Sequence, residues 1–156
     1  MKLLIDDADT TKIRRLWEYY PCDGVTTNPS ILAKSGRKPY EVLLEIRSII
    51  GVKAELHVQA LSRKSDDMVA EAHRIVETLG ETTIVKIPAT EEGLRAIRQL
   101  NAQGISVTAT AIYTPMQAFL AGKSGADYAA PYVNRIDNLS GDGVQTAKNI
   151  HDLFQV

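Results

Sequence analysis

Apolar positions along the chain alternate between two periods. Short β-branched runs recur at 2–6, 24–27, 54–59, 83–87, 106–110 and 128–133, and the longer stretches between them place apolar residues at helical spacing. Ile13, Leu16, Trp17 and Tyr20 form one such stripe, and Met68, Val69, Ala72, Ile75, Val76 and Leu79 form another. A helix with one apolar stripe covers a sheet, so the pattern predicts about six βα units around a parallel sheet.

The punctuation agrees with this reading. Ser65-Asp66-Asp67 and Thr90-Glu91-Glu92 place hydroxyls and carboxylates where helix N-termini favour them, and Gly80 and Gly104 stand where helices should stop. Pro39 and Pro115 suit first helical turns, and Gly141 to Gly143 precedes a last amphipathic stretch through Val144, Ala147, Ile150 and Phe154.

Two architectures use this alternation, the open doubly wound sheet and the closed barrel. A nucleotide-binding open sheet opens on a glycine-rich turn after its first strand, whereas here that strand runs into Asp6-Asp7-Ala8-Asp9. The expected fold is therefore α/β, of the (β/α)8 TIM-barrel type. A complete barrel takes roughly 200 residues or more. At 156 residues the chain is expected to form one barrel-type domain lacking the last two βα units.

Composition narrows the functional classes. The chain is 44% apolar with a formal charge of −1, and its eighteen basic residues form no dense run of the kind that tracks nucleic acid. No stretch approaches the roughly 18 apolar residues of a membrane span, and the N-terminal apolar run is too short for a signal peptide, so a cytoplasmic protein is expected. One cysteine, Cys22, excludes an internal disulfide, and no grouping of His, Asp and Glu has metal-ligand spacing.

Barrel chemistry collects at the carboxyl ends of strands. The predicted ends carry Asp6, Thr26 with Asn28, Gln59, Lys86, Thr110, and Tyr132 with Arg135. Most of these stand where loops are polar anyway, so it is the set, not any member, that points to a site. Lys86 differs, because it sits inside the apolar run of 84–87. Burial disfavours an ammonium, lowers the amine pKa and leaves a nucleophile able to attack a carbonyl. The structural alternative is a lysine that snorkels to water or pairs with Asp6.

The other ends suit imine chemistry. A phenol such as Tyr132 can donate and recover a proton, while Gln59 and Thr110 can fix a relaying water. Asp6 and Asn28 can hold sugar hydroxyls, and the planar donors of Arg135 suit a phosphate, unless it pairs with Asp137 on the surface. His57 precedes Gln59 by two positions, hence shares its strand face, as a supporting residue or a packed core histidine.

The motifs GVTTNPSI (24–31), IVKIPAT (84–90) and APYVNRIDN (130–138), in this order, resemble those of the transaldolase family, especially its small fructose-6-phosphate aldolase branch. The resemblance implies a (β/α)8 barrel and a class I aldolase that uses no metal or organic cofactor, with the Schiff-base lysine at Lys86. It matches Asp6 and Asn28 to substrate-contacting residues, Thr110 to the threonine that helps hold the catalytic water, and Arg135 to the phosphate-binding arginine. The aldolase branch has glutamine and tyrosine at the positions of Gln59 and Tyr132, where transaldolases usually have glutamate and phenylalanine. The implied reaction is reversible cleavage of fructose 6-phosphate into dihydroxyacetone and glyceraldehyde 3-phosphate. The alternatives are transfer of the dihydroxyacetone unit to another aldose phosphate, and an inactive barrel that only binds phosphosugar or assembles. The resemblance also implies a homo-oligomer, two further βα units and a serine that completes the phosphate site.

Overall fold

The computed structural model describes residues 1–155. In chain order the elements are β1 (Leu4–Asp6), α1 (Thr10–Tyr19), β2 (Gly24–Thr26), α2 (Pro29–Lys34), α3 (Pro39–Ile50), β3 (Glu55–Gln59) and α4 (Ser65–Leu79). They continue with β4 (Thr83–Pro88), α5 (Glu91–Ala102), β5 (Val107–Ile112), α6 (Pro115–Lys123), β6 (Tyr128–Pro131), α7 (Val133–Asn138) and α8 (Gly143–Leu153). The strands form one sheet in sequence order, β1 through β6, with parallel pairing at β1/β2, β2/β3 and β5/β6. Strands that keep chain order, each followed by helix, make the α/β, TIM-barrel-type fold expected from the sequence.

Two compact units can be distinguished. The first comprises Met1–Gln59 and His73–Val85. Its core is built from Ile13, Val25, Val42, Leu43, Ile46, Leu56, Ile75 and Leu79, all buried, and each fully buried side chain of this size contributes about 2 kcal/mol. At the amino ends of β3 and β4, Arg47 of α3 is only 9% exposed. Its guanidinium donates to the carbonyls of Leu79, Gly51 and Ala54 and to Thr83 Oγ1, at 2.7–3.1 Å. A buried cation thus closes helix ends and strand starts without any carboxylate among these partners.

The second unit comprises Ala60–Ala72 and the chain from Lys86 onward. Its core gathers Met68, Ile87, Ala96, Ile97, Leu100, Val107, Ile112, Ala118 and Ala121. Gly93, in the first turn of α5, has no room for a side chain, since a Cβ there would fall on the carbonyl oxygen of Pro88 at the end of β4. Thr90 caps the same helix by accepting from the Gly93 amide at 3.1 Å.

Several sequence expectations shift. Gly80 and Gly104 do end helices, with φ of 97° and 74°. Tyr20 lies beyond α1 and is exposed, as is Val144 of α8. The fifth strand extends two residues past Thr110, through Ala111 at a left-handed φ of 56° that an alanine does not announce. The sixth strand stops at Pro131, and Val133–Asn138 is a separate short helix. At six residues, neither α2 nor α7 is long enough to display a helical period.

Candidate active site

In the first unit, register aligns the carboxyl ends of β1 and β2 with His57, two residues before the end of β3. Asp6 is the Cα partner of Thr26, and Thr26 is the partner of His57. Just past this row, Thr27 is buried and both its amide and its hydroxyl donate to the His57 carbonyl, at 3.0 and 2.9 Å. Asn28 caps α2 by accepting from the Ile31 amide at 3.0 Å. That hydrogen bond fixes the Asn28 carboxamide at the start of α2. Asp6 is exposed and borders a cavity of about 560 Å³ that it shares with Asp7, Asp9, Lys12, Lys34 and Arg37.

His57 is 2% exposed, with Nε2 3.3 Å from Glu55 Oε2. Glu55 in turn pairs with Lys2. This is the packed core histidine among the sequence alternatives, and Gln59, two residues on and half-buried, ends the strand.

The second unit opens with Lys86. It is 6% exposed and sits in a strand whose residues Thr83 to Ile87 are all buried. At that exposure the side chain does not reach water as a snorkelling lysine would. The Lys86 carbonyl accepts from the Ala60 amide at 3.1 Å, and the Thr110 carbonyl accepts from the Ala89 amide at 2.8 Å. Thr110 is 2% exposed and directly precedes the left-handed Ala111.

Tyr132 follows β6 as the residue before α7, its amide donating to the Ile112 carbonyl at 3.0 Å. Arg135 is exposed, with its guanidinium carbon 4.5 Å from the centroid of the Tyr132 ring. The alternative pairing of Arg135 with Asp137 is not among the ion pairs of the described residues, and Asp137 accepts from the Gly143 amide instead, at 2.7 Å. Tyr113 packs edge-on against Tyr132, ring centroids 5.4 Å apart at 88°. Sequence reading missed Tyr113, whose place depends on the irregularity at Ala111. It also missed Arg47, since nothing in a helical pattern marks an arginine as buried. Among the described residues no group of three or more His, Cys, Asp or Glu is placed to hold a metal ion.

The first unit carries a row of polar groups at strand ends, and the second carries a buried primary amine and a phenol whose ring meets an arginine and a second aromatic ring. The family model for transaldolase and fructose-6-phosphate aldolase matches residues 3–156. The chain belongs to this family. It is 44% identical over 154 residues to a protein named "Probable transaldolase" from Geotalea daltonii, and 39% identical over 155 residues to one of the same name from Thermodesulfovibrio yellowstonii. Each alignment covers 99% of this chain and 71% of the relative. In fold the chain is also similar to the crystal structure of dihydrodipicolinate synthase from Rhodopseudomonas palustris, with a TM-score of 0.53 at 14% identity. That match covers 80% of this chain and about half, 51%, of the synthase. Family membership places the chain among aldolase- and transferase-type enzymes, and no helix among the described residues is long and apolar enough to cross a membrane.

Proposed function

We propose that the chain carries class I aldolase chemistry on a ketose phosphate, with Lys86 as the imine-forming residue. The observation that carries this reading is the burial of Lys86 within an apolar strand of a transaldolase-family chain. Burial disfavours the charged form of an amine, and the neutral form is the nucleophile such a reaction needs.

In the proposed cycle the Lys86 amine adds to C2 of fructose 6-phosphate, and loss of water leaves a protonated imine. The C3–C4 bond then breaks, its electron pair passing to the iminium while the C4 hydroxyl gives up its proton. Glyceraldehyde 3-phosphate departs and an enamine remains on Lys86. Protonation at C3 and addition of water release dihydroxyacetone and restore the amine. Tyr132 exchanges these protons through a water held by Gln59 and Thr110. Asp6, Thr26 and Asn28 bind hydroxyl groups, and Arg135 binds the phosphate. The reading needs neither a metal nor an organic cofactor.

Gln59 and Tyr132 support protonation and release of the enamine over its transfer. The name carried by the relatives favours the second reading, in which the enamine adds to an acceptor aldose phosphate. Incubation with fructose 6-phosphate alone tests the choice. Free dihydroxyacetone is the expected product. Turnover that appears only when erythrose 4-phosphate is added would assign the chain to transfer.

A further inference from the structure

We infer that Tyr113 is a positioning residue for Tyr132, and that an extra residue in β5 at Ala111 is what brings it there. The inference deepens the proposed function, since it rests on Tyr132 being the proton-handling group.

Pairing between β5 and β6 changes register in the middle. Ala109 is the Cα partner of Ala129 and Ile112 that of Pro131, so three steps along β5 oppose two along β6. That one-residue excess is a β-bulge, which is uncommon in parallel pairs and recurs beside active sites, where it re-aims side chains. Its backbone is strained: Ala111 holds φ at 56°, a region an alanine enters at a cost that glycine avoids. Without the extra residue every side chain after it would turn to the opposite face.

Both sides of the contact are then locked. The Tyr113 amide donates to Gln117 Oε1 at 2.8 Å, and the same oxygen accepts from the Thr114 amide in the capping box of α6. Tyr132 is tied by its amide to the Ile112 carbonyl, next to Tyr113 in the chain. The two tyrosines each follow one member of the last ladder pair, and their rings meet edge to face. Arg135 also lies over the Tyr132 ring. A phenol that must accept and return a proton in one direction gains from a ring that cannot turn, because proton transfer falls off steeply with misplacement. The role falls to the Tyr113 ring and not to its hydroxyl.

The test compares Tyr113→Phe and Tyr113→Leu for kcat, KM, borohydride trapping on Lys86, and carbon-13 NMR of a labelled Tyr132 ring. The phenylalanine variant should stay within about twofold of the parent, and the leucine variant should lose about three- to tenfold in kcat, the range an aromatic pair supports. KM and the yield of trapped imine should move less than about twofold, a split that general loss of packing does not give. In the parent chain the two edges of the Tyr132 ring should give separate signals that merge in the leucine variant. A leucine variant with unchanged kcat and unchanged ring signals overturns the inference. A freely flipping Tyr132 ring in the parent overturns it even if the leucine variant does not fold. Should the parent trap no imine, the aldolase reading fails, and the ring signals alone decide the role of Tyr113.

Discussion

The guanidinium of Arg135 lies over the ring of Tyr132, 4.5 Å from carbon to centroid, three residues along a short helix. The proposed proton-handling phenol and the proposed phosphate binder are therefore in contact. Arginine at this distance satisfies the geometry of a cation–π contact while keeping its donors at the exposed rim.

Replacing that arginine should separate recognition from chemistry. Arg135→Met should raise KM for fructose 6-phosphate about tenfold or more, as expected for losing charge-assisted hydrogen bonds to a phosphate. Imine formation with unphosphorylated dihydroxyacetone should persist. Arg135→Lys restores the charge but not the planar fork, so steady-state kinetics should show only partial recovery.

The buried amine can be removed with little change of volume. Lys86→Met should stay folded by circular dichroism while turnover and imine trapping disappear. Turnover retained by a folded Lys86→Met chain would remove Lys86 from the proposed chemistry.

The burial of Lys86 is the clearest feature of the candidate site legible in sequence, because a lysine inside an apolar β-branched run contradicts the pattern around it. The strand order was readable for a related reason: periods of two and of 3.6 residues alternate cleanly, and proline, glycine and capping residues mark the joins. Thr110 was readable as a residue of the fifth strand, but the bulge after it was not, since alanine is a poor signal for a left-handed backbone. Tyr132 and Arg135 were grouped together, yet as a strand end; at six residues α7 is too short for its helical period to stand out. Arg47 was invisible, because its partners are backbone carbonyls brought together only by the fold.

Arg47 should be among the most sensitive positions in the first unit. Arg47→Met would leave the carbonyls of Leu79, Gly51 and Ala54 without this donor, at a cost of about 3 kcal/mol or more. Chemical denaturation should show the loss, with kcat per folded molecule unchanged.

At Ala111 the usual direction of a glycine substitution should be suppressed or reversed. Alanine pays about 1 kcal/mol or more for φ of 56°, and glycine does not, so Ala111→Gly should be neutral to stabilising by up to about 1 kcal/mol. Ala111→Val should be destabilising by about 2 kcal/mol, since a branched side chain resists this backbone further. Thermal melts of the two variants read the difference.

Acid should loosen the loop that follows β3. The Ser65 amide donates to Glu92 Oε2 at 2.8 Å, and this hydrogen bond, helped by Lys64 and Arg95, holds the Glu92 carboxyl below its ordinary value. A carboxyl lowered by folding stabilises the anchored loop above the ordinary carboxylate range and loses that contribution as pH falls through its folded value. Amide exchange at Ser65, corrected for intrinsic rates, should therefore show declining protection as acid is added. Glu92→Gln should abolish that pH dependence.

Lys86 should form an imine with a ketose. Incubation with dihydroxyacetone and borohydride, followed by intact-mass and peptide-mass measurement, reads this out. One reduced three-carbon adduct per chain is expected, located on Lys86 and absent from Lys86→Met. A folded sample that remains unmodified, or an adduct spread over exposed lysines with Lys86 untouched, would contradict it.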